Sequence, residues 1–524
     1  MQSPCETNRD AAPQAAPVEN GAFCPRSQRR YVLIAAILAS ALGFIDGSVV
    51  SIAIPAIRTD LGATLVEAQW ISNAYALTLS ALILAGGAAG DNYGLRRTFI
   101  TGIMLFVAAS LFCALAPDPT SLIAARAIQG IGAAIMVPGS LAIIAKAYPK
   151  AERGRAIGIW AASSALTTAL GPVVGGVVLS TFGDSIWRVI FAINLPLGGI
   201  ALYLLLTKVP NDEATQKRQL DLSGAAIATA GLGAIAYGLT ALSSENAQSS
   251  EMVPLASMAV GLALFGYFLL WERRQTEPMV DLSLFRIGAF SGANIATFFL
   301  YFALSGILFY LPMLLIAGWG LSAAETSLIF LPLSGAIALL SGPVGALSDR
   351  IGPRLPIALG SLVVAASFAG LAIATGLGFH GFWSAIFPAM VLMGLGMSLV
   401  VSPLSTAIMT SVEDKDTGAA SGINNAVSRI AGLIAVAMLG GIAAFRYASV
   451  LAGNGEVPDF GEPAANLPAG LETLRVAASD AAFSAVAWVT AALCVASALT
   501  AWLTVPGRES LDRIRAKQAG SSQS

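Results

Sequence analysis

Residues 87–97 read Gly-Ala-Ala-Gly-Asp-Asn-Tyr-Gly-Leu-Arg-Arg, a polar turn between two long apolar stretches. The spacing Gly87-x-x-x-Asp91-x-x-Gly94-x-Arg96 recurs 258 residues later as Gly345, Asp349, Gly352 and Arg354. Two more glycine patterns recur at an offset of 264, namely residues 130–132 as 394–396 and residues 154–159 as 418–423. The shared order and near-constant offsets indicate an internal duplication, against the alternative of chance matches in a glycine-rich chain.

The sequence on either side of these turns consists of long apolar runs. A continuous apolar run of about 20 residues can cross the hydrocarbon core of a membrane as a helix, whereas an open strand cannot satisfy its backbone there. We predict fourteen membrane-spanning helices, at about 31–57, 67–90, 98–116, 120–145, 155–180, 186–207, 221–242, 253–271, 288–316, 322–346, 355–377, 383–409, 418–444 and 479–504. The first is not a cleaved signal peptide, because it is too long and carries Asp46 in its middle.

The composition agrees with this prediction. Of 524 residues, 56% are hydrophobic and 11% are charged, and the mean hydropathy is +0.75. A soluble protein carries about 25% charged residues, so the soluble and disordered classes are excluded and an all-α polytopic membrane protein is predicted. One histidine, His380, and four scattered cysteines suggest neither a metal site nor a Ser-His-Asp triad. We therefore predict that the protein is not an enzyme and has no metal and no cofactor.

The basic residues orient the predicted helices. If both termini are cytoplasmic, all but six of the 29 lysines and arginines fall on the tails and the cytoplasmic loops. The exceptions are Arg58, Arg188, Arg446 and Arg475 on the outer side, and Arg126 and Arg429 within spans. Since multi-pass membrane proteins concentrate lysine and arginine on cytoplasmic loops, this bias predicts cytoplasmic termini.

The duplication and the helices together divide the chain into segments. Helices 1–6 align with helices 9–14, and helices 7 and 8 are an inserted pair. The predicted segments are a disordered cytoplasmic tail (1–30), an N-terminal six-helix half (31–207), the inserted pair with its inner loops (208–287), a C-terminal six-helix half (288–504) and a cytoplasmic tail (505–524). Two parallel six-helix halves are a transporter architecture with the substrate between them. No lysine follows a glycine, so there is no Walker loop, and an ion gradient rather than ATP is the expected energy source.

Several motifs resemble those of the major facilitator superfamily and, within it, of the fourteen-helix drug:proton antiporters. Both copies of the loop motif resemble that superfamily's motif after helix 2, and residues 345–354 are the better match, because Asn92 stands where a basic residue is usual. The other matches, in family order, are Asp46-Gly47-Ser48-Val49-Val50 in helix 1, Arg126-x-x-Gln129-Gly130 in helix 4, Gly171-Pro172-x-x-Gly175-Gly176 in helix 5, and Trp187-Arg188-x-x-Phe191 with Asn194 in helix 6.

This resemblance implies a role for each motif. The loop motif would be a conformational latch between helices, with ordinary turn chemistry as the alternative; its residues are Gly87, Asp91, Gly94, Arg96, Arg97, Gly345, Asp349, Arg350, Gly352 and Arg354. The helix 5 motif would seal the interface between the halves against proton leak, with simple tight packing as the alternative; its residues are Gly171, Pro172, Gly175 and Gly176. Arg126 would take part in proton transfer, with a clamp on backbone carbonyls as the alternative.

Asp46 is the strongest candidate for proton coupling. A charged residue at the bilayer centre costs about 2.5–3.5 kcal/mol to insert, so such acids usually face a cavity and serve function. Burial disfavours the charged carboxylate and a nearby cation favours it, so a proton and a cationic substrate would compete for Asp46. The alternative is a structural acid, hydrogen-bonded or paired with an arginine. The spans contain two arginines, Arg126 and Arg429, but one central acid. This charge balance does not exclude neutral, zwitterionic or anionic substrates.

Aromatic and amide side chains within the spans supply a candidate substrate cavity. An aromatic wall on helix 9 could stack a flat lipophilic substrate or bind a cation, with packing and lipid contact as the alternative. The candidates are Trp70, Asn73, Tyr75, Gln129, Asn294, Phe298, Tyr301, Phe302, Asn424 and Arg429.

Taken together, these features predict a proton-coupled secondary active exporter (antiporter) of amphipathic drugs or antibiotics. Its partners would be a small amphipathic substrate, protons and the lipid bilayer, and no nucleic acid. We expect it in the cytoplasmic (inner) membrane of a bacterium, where a periplasmic adaptor and an outer-membrane channel are a further partner hypothesis. The first alternative is a dedicated exporter of one metabolite, such as a siderophore, a lipid or an amino acid. A non-transporting scaffold or sensor is the remote alternative.

Overall fold

The computed structural model describes residues 24–212, 221–242, 252–276, 278–413, 416–451, 457–464 and 467–507. Fourteen helical spans of membrane length lie in these residues: α1 (Arg26–Leu61), α2 (Leu65–Tyr93), α3 (Leu95–Ala114), α4 (Pro119–Ala147), α5 (Glu152–Phe182), α6 (Ser185–Lys208), α7 (Leu222–Ala241), α8 (Met252–Glu272), α9 (Gly288–Gly318), α10 (Ala323–Ile351), α11 (Arg354–Gly376), α12 (Phe382–Thr410), α13 (Thr417–Leu451) and α14 (Ala469–Thr504). Because the number of spans is even, residues 24 and 507 lie on the same side of the bundle. This is named the terminal side, and the opposite side the far side.

Local sequence signals determine where several helices begin and end. Before α2, the Thr64 hydroxyl accepts from the Glu67 amide and the Glu67 carboxylate accepts from the Thr64 amide, a reciprocal capping box that satisfies two otherwise unpaired amides. Asp118 caps α4 in the same way, and Pro119 follows it at a position where a missing N–H costs nothing. Gly62 ends α1 with a φ of 63°, a left-handed conformation that favours glycine.

The predicted number and order of helices are confirmed, but the long far-side loop predicted at 445–478 is wrong. α13 continues to Leu451, and α14 begins at Ala469 rather than near residue 479. Glu472 and Arg475 lie in this predicted loop, yet they bond to each other within the helix at 2.7 Å. Arg475 also donates to two carbonyl oxygens of the end of α9, at 2.8 and 3.1 Å. The predicted tails lie mostly outside the described residues, and α1 already begins at Arg26.

The duplicated glycines make equivalent contacts in the two halves. A Cβ on Gly130 of α4 would lie 2.4 Å from a carbonyl oxygen of α2, and a Cβ on Gly394 of α12 would lie 2.5 Å from a carbonyl oxygen of α10. In the same way, Gly132 would contact a main-chain nitrogen of α3 at 2.6 Å, and Gly396 a carbonyl oxygen of α11 at 2.8 Å. Small residues let membrane helices approach this closely, so the sequence repeat corresponds to one three-helix packing that occurs twice.

The inserted helices cover one seam between the halves. α7 packs against α8 and also against α2 and α13, one helix from each half. Trp70 Nε1 of α2 donates to Thr240 Oγ1 of α7 at 3.1 Å, and Leu232 and Ala236 of α7 are buried with Leu433 of α13. On the other seam, α5 contacts α10 directly.

The two halves are bonded to each other at the far side. Gln69 Nε2 of α2 donates to the Tyr310 hydroxyl of α9 at 2.8 Å and to the Val436 carbonyl oxygen of α13 at 3.0 Å. On the other seam, the Ala324 amide of α10 donates to the Ser180 hydroxyl of α5 at 2.9 Å. The far ends of the halves are therefore held together at both seams.

The close packing of α2 on α4 can be tested with one methyl group. A Cβ on Gly86 would lie 2.1 Å from the Ala134 carbonyl oxygen, whereas a Cβ on Gly199 of α6 would meet no atom within 4 Å. We expect Gly86→Ala to lower the thermal unfolding midpoint of the purified protein by several degrees, because overpacking costs about 1–3 kcal/mol. The control Gly199→Ala should keep or slightly raise the midpoint, since alanine favours a helix. Equal midpoints for the two variants would contradict this packing.

Candidate functional site

Asp46 of α1 and Arg126 of α4 form a buried ion pair within the N-terminal half. Each residue is only 1% exposed. Arg126 Nη1 donates to Asp46 Oδ2 and also to Gln129 Oε1, the latter at 2.6 Å. Gln129 Nε2 in turn donates to Asp46 Oδ1 at 2.9 Å. The three side chains close a ring in which each carboxylate oxygen of Asp46 has a donor.

Two further side chains hold Gln129 in this ring. Gln129 Nε2 donates to the Ser110 hydroxyl of α3 at 2.7 Å, and Asn194 Nδ2 of α6 donates to the same hydroxyl at 2.9 Å. All three residues are fully buried. Neither Ser110 nor Asn194 was selected as a site residue from the sequence. Asn194 belongs to the helix 6 motif and so carried a signal, whereas Ser110 is a single serine in an apolar run.

Arg126 is also held by α2 and α6. Its Nε donates to the Ile71 carbonyl oxygen at 3.0 Å. Its guanidinium carbon lies 4.3 Å from the ring centroid of Tyr75 and 5.6 Å from that of Phe191, and aromatic faces attract a desolvated cation. Arg126 thus makes a backbone contact of the kind expected for a clamp, which was the alternative to a role in proton transfer, and it also pairs with Asp46. Five helices of the N-terminal half meet at this cluster.

The geometry bears on how a proton and a substrate could act on Asp46. Asp46 is not an isolated acid facing a cavity, because it is buried and paired with an arginine. A cationic substrate could reach its carboxylate only by displacing Arg126. Since an unpaired buried charge is strongly disfavoured, the pair can separate only if Asp46 takes up a proton or if another partner replaces it. Direct competition between a proton and a cationic substrate is therefore not favoured.

Arg429 of α13 lies between the halves without a carboxylate partner. It is partly exposed, and it makes no ion pair or hydrogen bond with the described residues; its Nε is buried without an acceptor. The titratable groups near Arg429 are Tyr75 of α2 and Tyr301 of α9. The ring of Tyr75 also lies under the Arg126 guanidinium, so Tyr75 stands between Arg429 and the buried ion pair.

Several other candidate cavity residues pack inside the C-terminal half. Asn424 Nδ2 of α13 donates to Thr297 Oγ1 of α9 at 2.8 Å and to Asn294 Oδ1 at 3.3 Å, which joins these two helices. The rings of Phe298 and Phe302 lie 6.1 Å apart, and Phe302 is only 3% exposed. For Phe302 and the two asparagines the structure therefore agrees with the packing alternative.

Two candidates on α2 differ from the expected lining of the outer half of the cavity. Trp70 faces the inserted helix α7, because its indole nitrogen is bonded to Thr240. Asn73 is 1% exposed, and neither polar atom of its amide has a hydrogen-bond partner among the described residues. Only Tyr75 of the three predicted residues on this helix contacts the ion-pair cluster, through its ring face.

The first loop motif is anchored to the chain that follows α6. The Arg96 side chain donates to two carbonyl oxygens at the end of α6, at 2.9 and 3.1 Å. The Asp212 carboxylate accepts from the main-chain amides of Leu95 and Arg96, at 2.8 and 3.0 Å, and from Lys146 Nζ at 3.1 Å. Gly94, with a φ of 90°, allows the turn to expose these amides. Asp212 was not predicted, since it is remote from the motif in sequence.

The acidic residues of both loop motifs do not form a latch in this conformation. Asp91, Asp349 and Arg350 are exposed and make no hydrogen bond or ion pair with side chains or amides in the described residues. In the second copy, the Arg354 guanidinium lies 4.3 Å from the ring centroid of Trp502. Arg96 and Arg354, at the ends of the two copies of the motif, thus make contacts within their own halves. The acids, Asp91 and Asp349, face solvent.

The helix 5 motif has two separate contacts. A Cβ on Gly171 would lie 3.2 Å from Ile45, and a Cβ on Gly175 would lie 2.2 Å from Val49. Both of these neighbours belong to α1 of the same half. A Cβ on Gly176 would lie 2.4 Å from the Ala323 carbonyl oxygen of α10, in the other half. The expectation that the whole motif lies between the halves needs correction, because of its three glycines Gly171 and Gly175, one helix turn apart, face α1, and Gly176 faces α10.

Arg58, at the far end of α1, also joins the two halves. It is 2% exposed, and its Nη1 donates to the Phe460 carbonyl oxygen at 2.7 Å and its Nη2 to Glu462 at 3.5 Å. The Phe460 ring packs against Tyr310 with a centroid distance of 6.3 Å. Between described residues, the hydrogen bonds from one half to the other all lie at the far side. A lone arginine at a helix end gave no sequence signal for this role.

The ion pair predicts a specific pattern of stability changes. Arg126→Gln and Asp46→Asn each leave one buried group without its partner, and breaking a buried pair costs about 3–5 kcal/mol. We expect both single variants to have lower thermal unfolding midpoints than the wild type, and the double variant to lose less than the sum of the two. Unfolding of the four proteins in one detergent measures this coupling. Strictly additive losses would contradict direct pairing.

Comparison with known proteins agrees with this architecture. The sequence model of the Major Facilitator Superfamily matches residues 36–436 and 295–522. The Multidrug resistance protein Stp of Mycobacterium tuberculosis (strain CDC 1551 / Oshkosh) is 34% identical over 414 residues, which cover 78% of this chain and 75% of that protein. The Puromycin resistance protein pur8 of Streptomyces alboniger is 33% identical over 464 residues, or 85% and 88% of the two chains. The Tetracenomycin C resistance and export protein of Streptomyces glaucescens is 30% identical over 422 residues, or 79% and 76%.

Solved structures share the fold at low sequence identity. A bacterial homologue of the human lysosomal transporter Spinster, in an inward-facing and unoccupied conformation, has a TM-score of 0.65 at 17% identity and covers 93% of this chain and 98% of its own. A D-xylose–proton symporter has a TM-score of 0.62 at 16% identity, covering 91% and 98%. The family consists of transporters and not enzymes. The protein is a multi-pass membrane transporter that belongs to the major facilitator superfamily.

Proposed function

We propose that this transporter is a proton-coupled exporter, which exchanges external protons for amphipathic compounds from the cytoplasm. The observation that carries the proposal is the buried pair of Asp46 and Arg126, with Gln129 bonded to both. A carboxylate within the membrane is costly and commonly functional. The relatives named for resistance to puromycin, and for resistance to and export of tetracenomycin C, support outward transport and an antibiotic-like substrate.

A proton on Asp46 would change the charge balance of the whole cluster. Neutral Asp46 leaves Arg126 with Gln129 Oε1 and the Ile71 carbonyl oxygen as acceptors, but with no counter-charge. Because a lone buried guanidinium is disfavoured, the cluster must then rearrange, and α1 and α4 carry its two ends. Arg126 cannot carry the proton itself, since a guanidinium stays charged at any accessible pH. Asp46 is the proton carrier in this mechanism, and Arg126 responds to its charge.

The transport cycle alternates access between the two sides. In the present conformation the halves are bonded at the far side through Arg58, Gln69 and Ser180, and the acids of both loop motifs are exposed at the terminal side. We infer from these contacts a state that is open to the terminal side. Opening the far side requires these bonds to break, and closing the terminal side brings Asp91 and Asp349 to their latching positions.

The direction of export follows from the proposed orientation. The distribution of lysine and arginine supports a cytoplasmic location for the terminal side, and the bacterial relatives support the inner membrane as the location. One proton that moves inward across about 100 mV releases about 2.3 kcal/mol. That free energy supports roughly a fifty-fold substrate gradient.

A dedicated exporter of one metabolite would use the same ion pair and the same cycle. The names of the relatives include both possibilities, since Stp is named for multidrug resistance and others for one antibiotic. A panel of chemically unrelated dyes separates the two, because only a multidrug exporter moves several of them. The hypothesis of a periplasmic adaptor and an outer-membrane channel stays a prediction.

Proton coupling is tested in inside-out vesicles energised to an acidic interior. On addition of lipophilic cationic, neutral and anionic compounds, we expect wild-type vesicles to release protons in response to at least one class. Asp46→Asn should abolish this release, because an amide cannot take up the proton, and Asp46→Glu should retain part of it. The matched control is Glu67→Gln, at an exposed capping box where glutamine also serves.

The results for Asp46→Asn and Glu67→Gln together distinguish a loss of proton coupling from a general defect in folding or insertion. Full proton release by Asp46→Asn would remove this residue from the coupling mechanism. Loss of release in both Asp46→Asn and Glu67→Gln would point to a general defect in folding or insertion, and would not support the mechanism. Normal release by Glu67→Gln with none by Asp46→Asn is the predicted result.

The far-side contacts are tested by a reversible cross-link. The Ala324 amide lies 2.9 Å from the Ser180 hydroxyl, so the double variant Ser180→Cys/Ala324→Cys, in a background without native cysteines, should form a disulfide. We expect oxidation to stop transport, because the far side cannot open, and reduction to restore it. The two single variants are the controls. Full transport by the oxidised double variant would show that this contact need not break in the cycle.

A further inference from the structure

Arg429 is a positive charge between the halves for which the fold supplies no partner. It makes no ion pair or hydrogen bond with the described residues, and its Nε is buried without an acceptor. Two other arginines of the spans show the contrast: Arg126 is paired with Asp46, and Arg475 with Glu472 and two carbonyl oxygens. A structural clamp therefore does not explain Arg429.

The side chains around Arg429 can contact a flat, partly polar molecule. Tyr75 of the N-terminal half and Tyr301 of the C-terminal half are the titratable groups near Arg429. Tyr301 is partly exposed, as are Arg429 and Phe298, which lies one turn before Tyr301 on α9. The site thus combines an unpaired cation with a partly exposed aromatic side chain, and aromatic faces bind the π surface of a planar ligand.

The chemistry of a guanidinium indicates which group would complete the site. A guanidinium stays charged and presents a rigid fork of donors that fits two oxygens of an acid. Asp46 is not available for this role, because both of its oxygens already accept from Arg126 and Gln129. Arg429 is partly exposed, but its Nε is buried without an acceptor, and a buried unsatisfied donor is costly; an anionic ligand would supply both the acceptor and the counter-charge.

We propose that Arg429 binds an acidic oxygen group, a carboxylate or a phenolate, on a flat aromatic substrate. This inference rests on the proposed export function and narrows its substrate to organic anions. The proton and the substrate then occupy different residues, Asp46 and Arg429. They are coupled through the conformational change and not through competition for one carboxylate.

The net charge within the membrane differs between the substrate-loaded form and the protonated form. With the anion bound and Asp46 ionised, the charges of Asp46, Arg126 and Arg429 are balanced. With a proton on Asp46 and no substrate, two positive charges are left. A membrane potential that is negative inside therefore favours the return of the protonated form and does not oppose the outward step of the loaded form.

The test compares anions with uncharged matches of the same shape. The probes are 9-anthracenecarboxylate and 2-hydroxyanthraquinone, each beside its methyl ester or methyl ether. Their apparent affinities for the purified full-length protein are measured from shifts of the thermal unfolding midpoint, at a pH where both acids are ionised. The variants are Arg429→Gln and Arg429→Lys, and the matched control is Arg446→Gln, an exposed arginine farther along the same helix.

We expect Arg429→Gln to weaken binding of an anionic probe by about 30-fold or more, as for the loss of one member of a buried charge pair. Arg429→Lys should lose less, because the charge remains, and Arg446→Gln should match the wild type. The uncharged probes should bind all four proteins alike. Without probe, Arg429→Gln should unfold at the wild-type midpoint or above it, since no protein contact is lost.

Three results would overturn the proposal. Equal binding of the anions by the wild type and Arg429→Gln is one, and failure of the wild type to prefer either anion over its uncharged match is another. A lower unfolding midpoint of Arg429→Gln than of Arg446→Gln is the third, because it would reveal a structural role. The binding assay needs no proton gradient, so loss of this proposal leaves the Asp46-dependent proton exchange to be judged separately.

Discussion

The membrane-buried ion pair of Asp46 and Arg126 is the constraint around which the N-terminal half is built. A carboxylate and a guanidinium that are both 1% exposed need every nearby donor and acceptor. α1, α2, α3, α4 and α6 supply these groups through Gln129, Ser110, Asn194 and the Ile71 carbonyl oxygen. Any change in the charge of Asp46 therefore acts on five helices at once, which makes the cluster suited to convert proton binding into movement.

The two halves share their helix packing, but they do not share their buried charged residues. The glycines of α4 and α12 make equivalent contacts in their own halves. At the same offsets, however, Asp46 corresponds to Leu304 and Arg126 to Met390, and both of these are buried apolar residues. The C-terminal half has instead the unpaired Arg429, on α13. The two halves thus share one packing scheme, while the N-terminal half has the buried ion pair and the C-terminal half has the unpaired cation.

Most of the fold was predictable from the sequence, because apolar run length, positive charge in loops and repeated glycines are local or periodic signals. Asp46, Arg126 and Gln129 were also found, since polar groups stand out in apolar runs. Pairing of Asp46 with an arginine was left as an alternative, but the sequence did not identify Arg126 as the partner, because that contact depends on how α1 and α4 pack. Arg58, Asp212 and Ser110 were missed for a related reason: each looks ordinary in sequence and takes its role from a distant partner. The early start of α14 was missed because Arg475 is compensated by carbonyl oxygens of α9, which no local pattern records.

The central claim is that Asp46 takes up and releases a proton inside the membrane. Infrared difference spectra of the purified protein in lipid, recorded between alkaline and acidic buffer, observe this directly through the C=O stretch of a protonated carboxyl group. We expect the wild type to show this C=O band in acidic buffer and Asp46→Asn to lack it. Identical difference spectra for the two proteins would contradict the account, because Asp46 would then keep one charge state throughout.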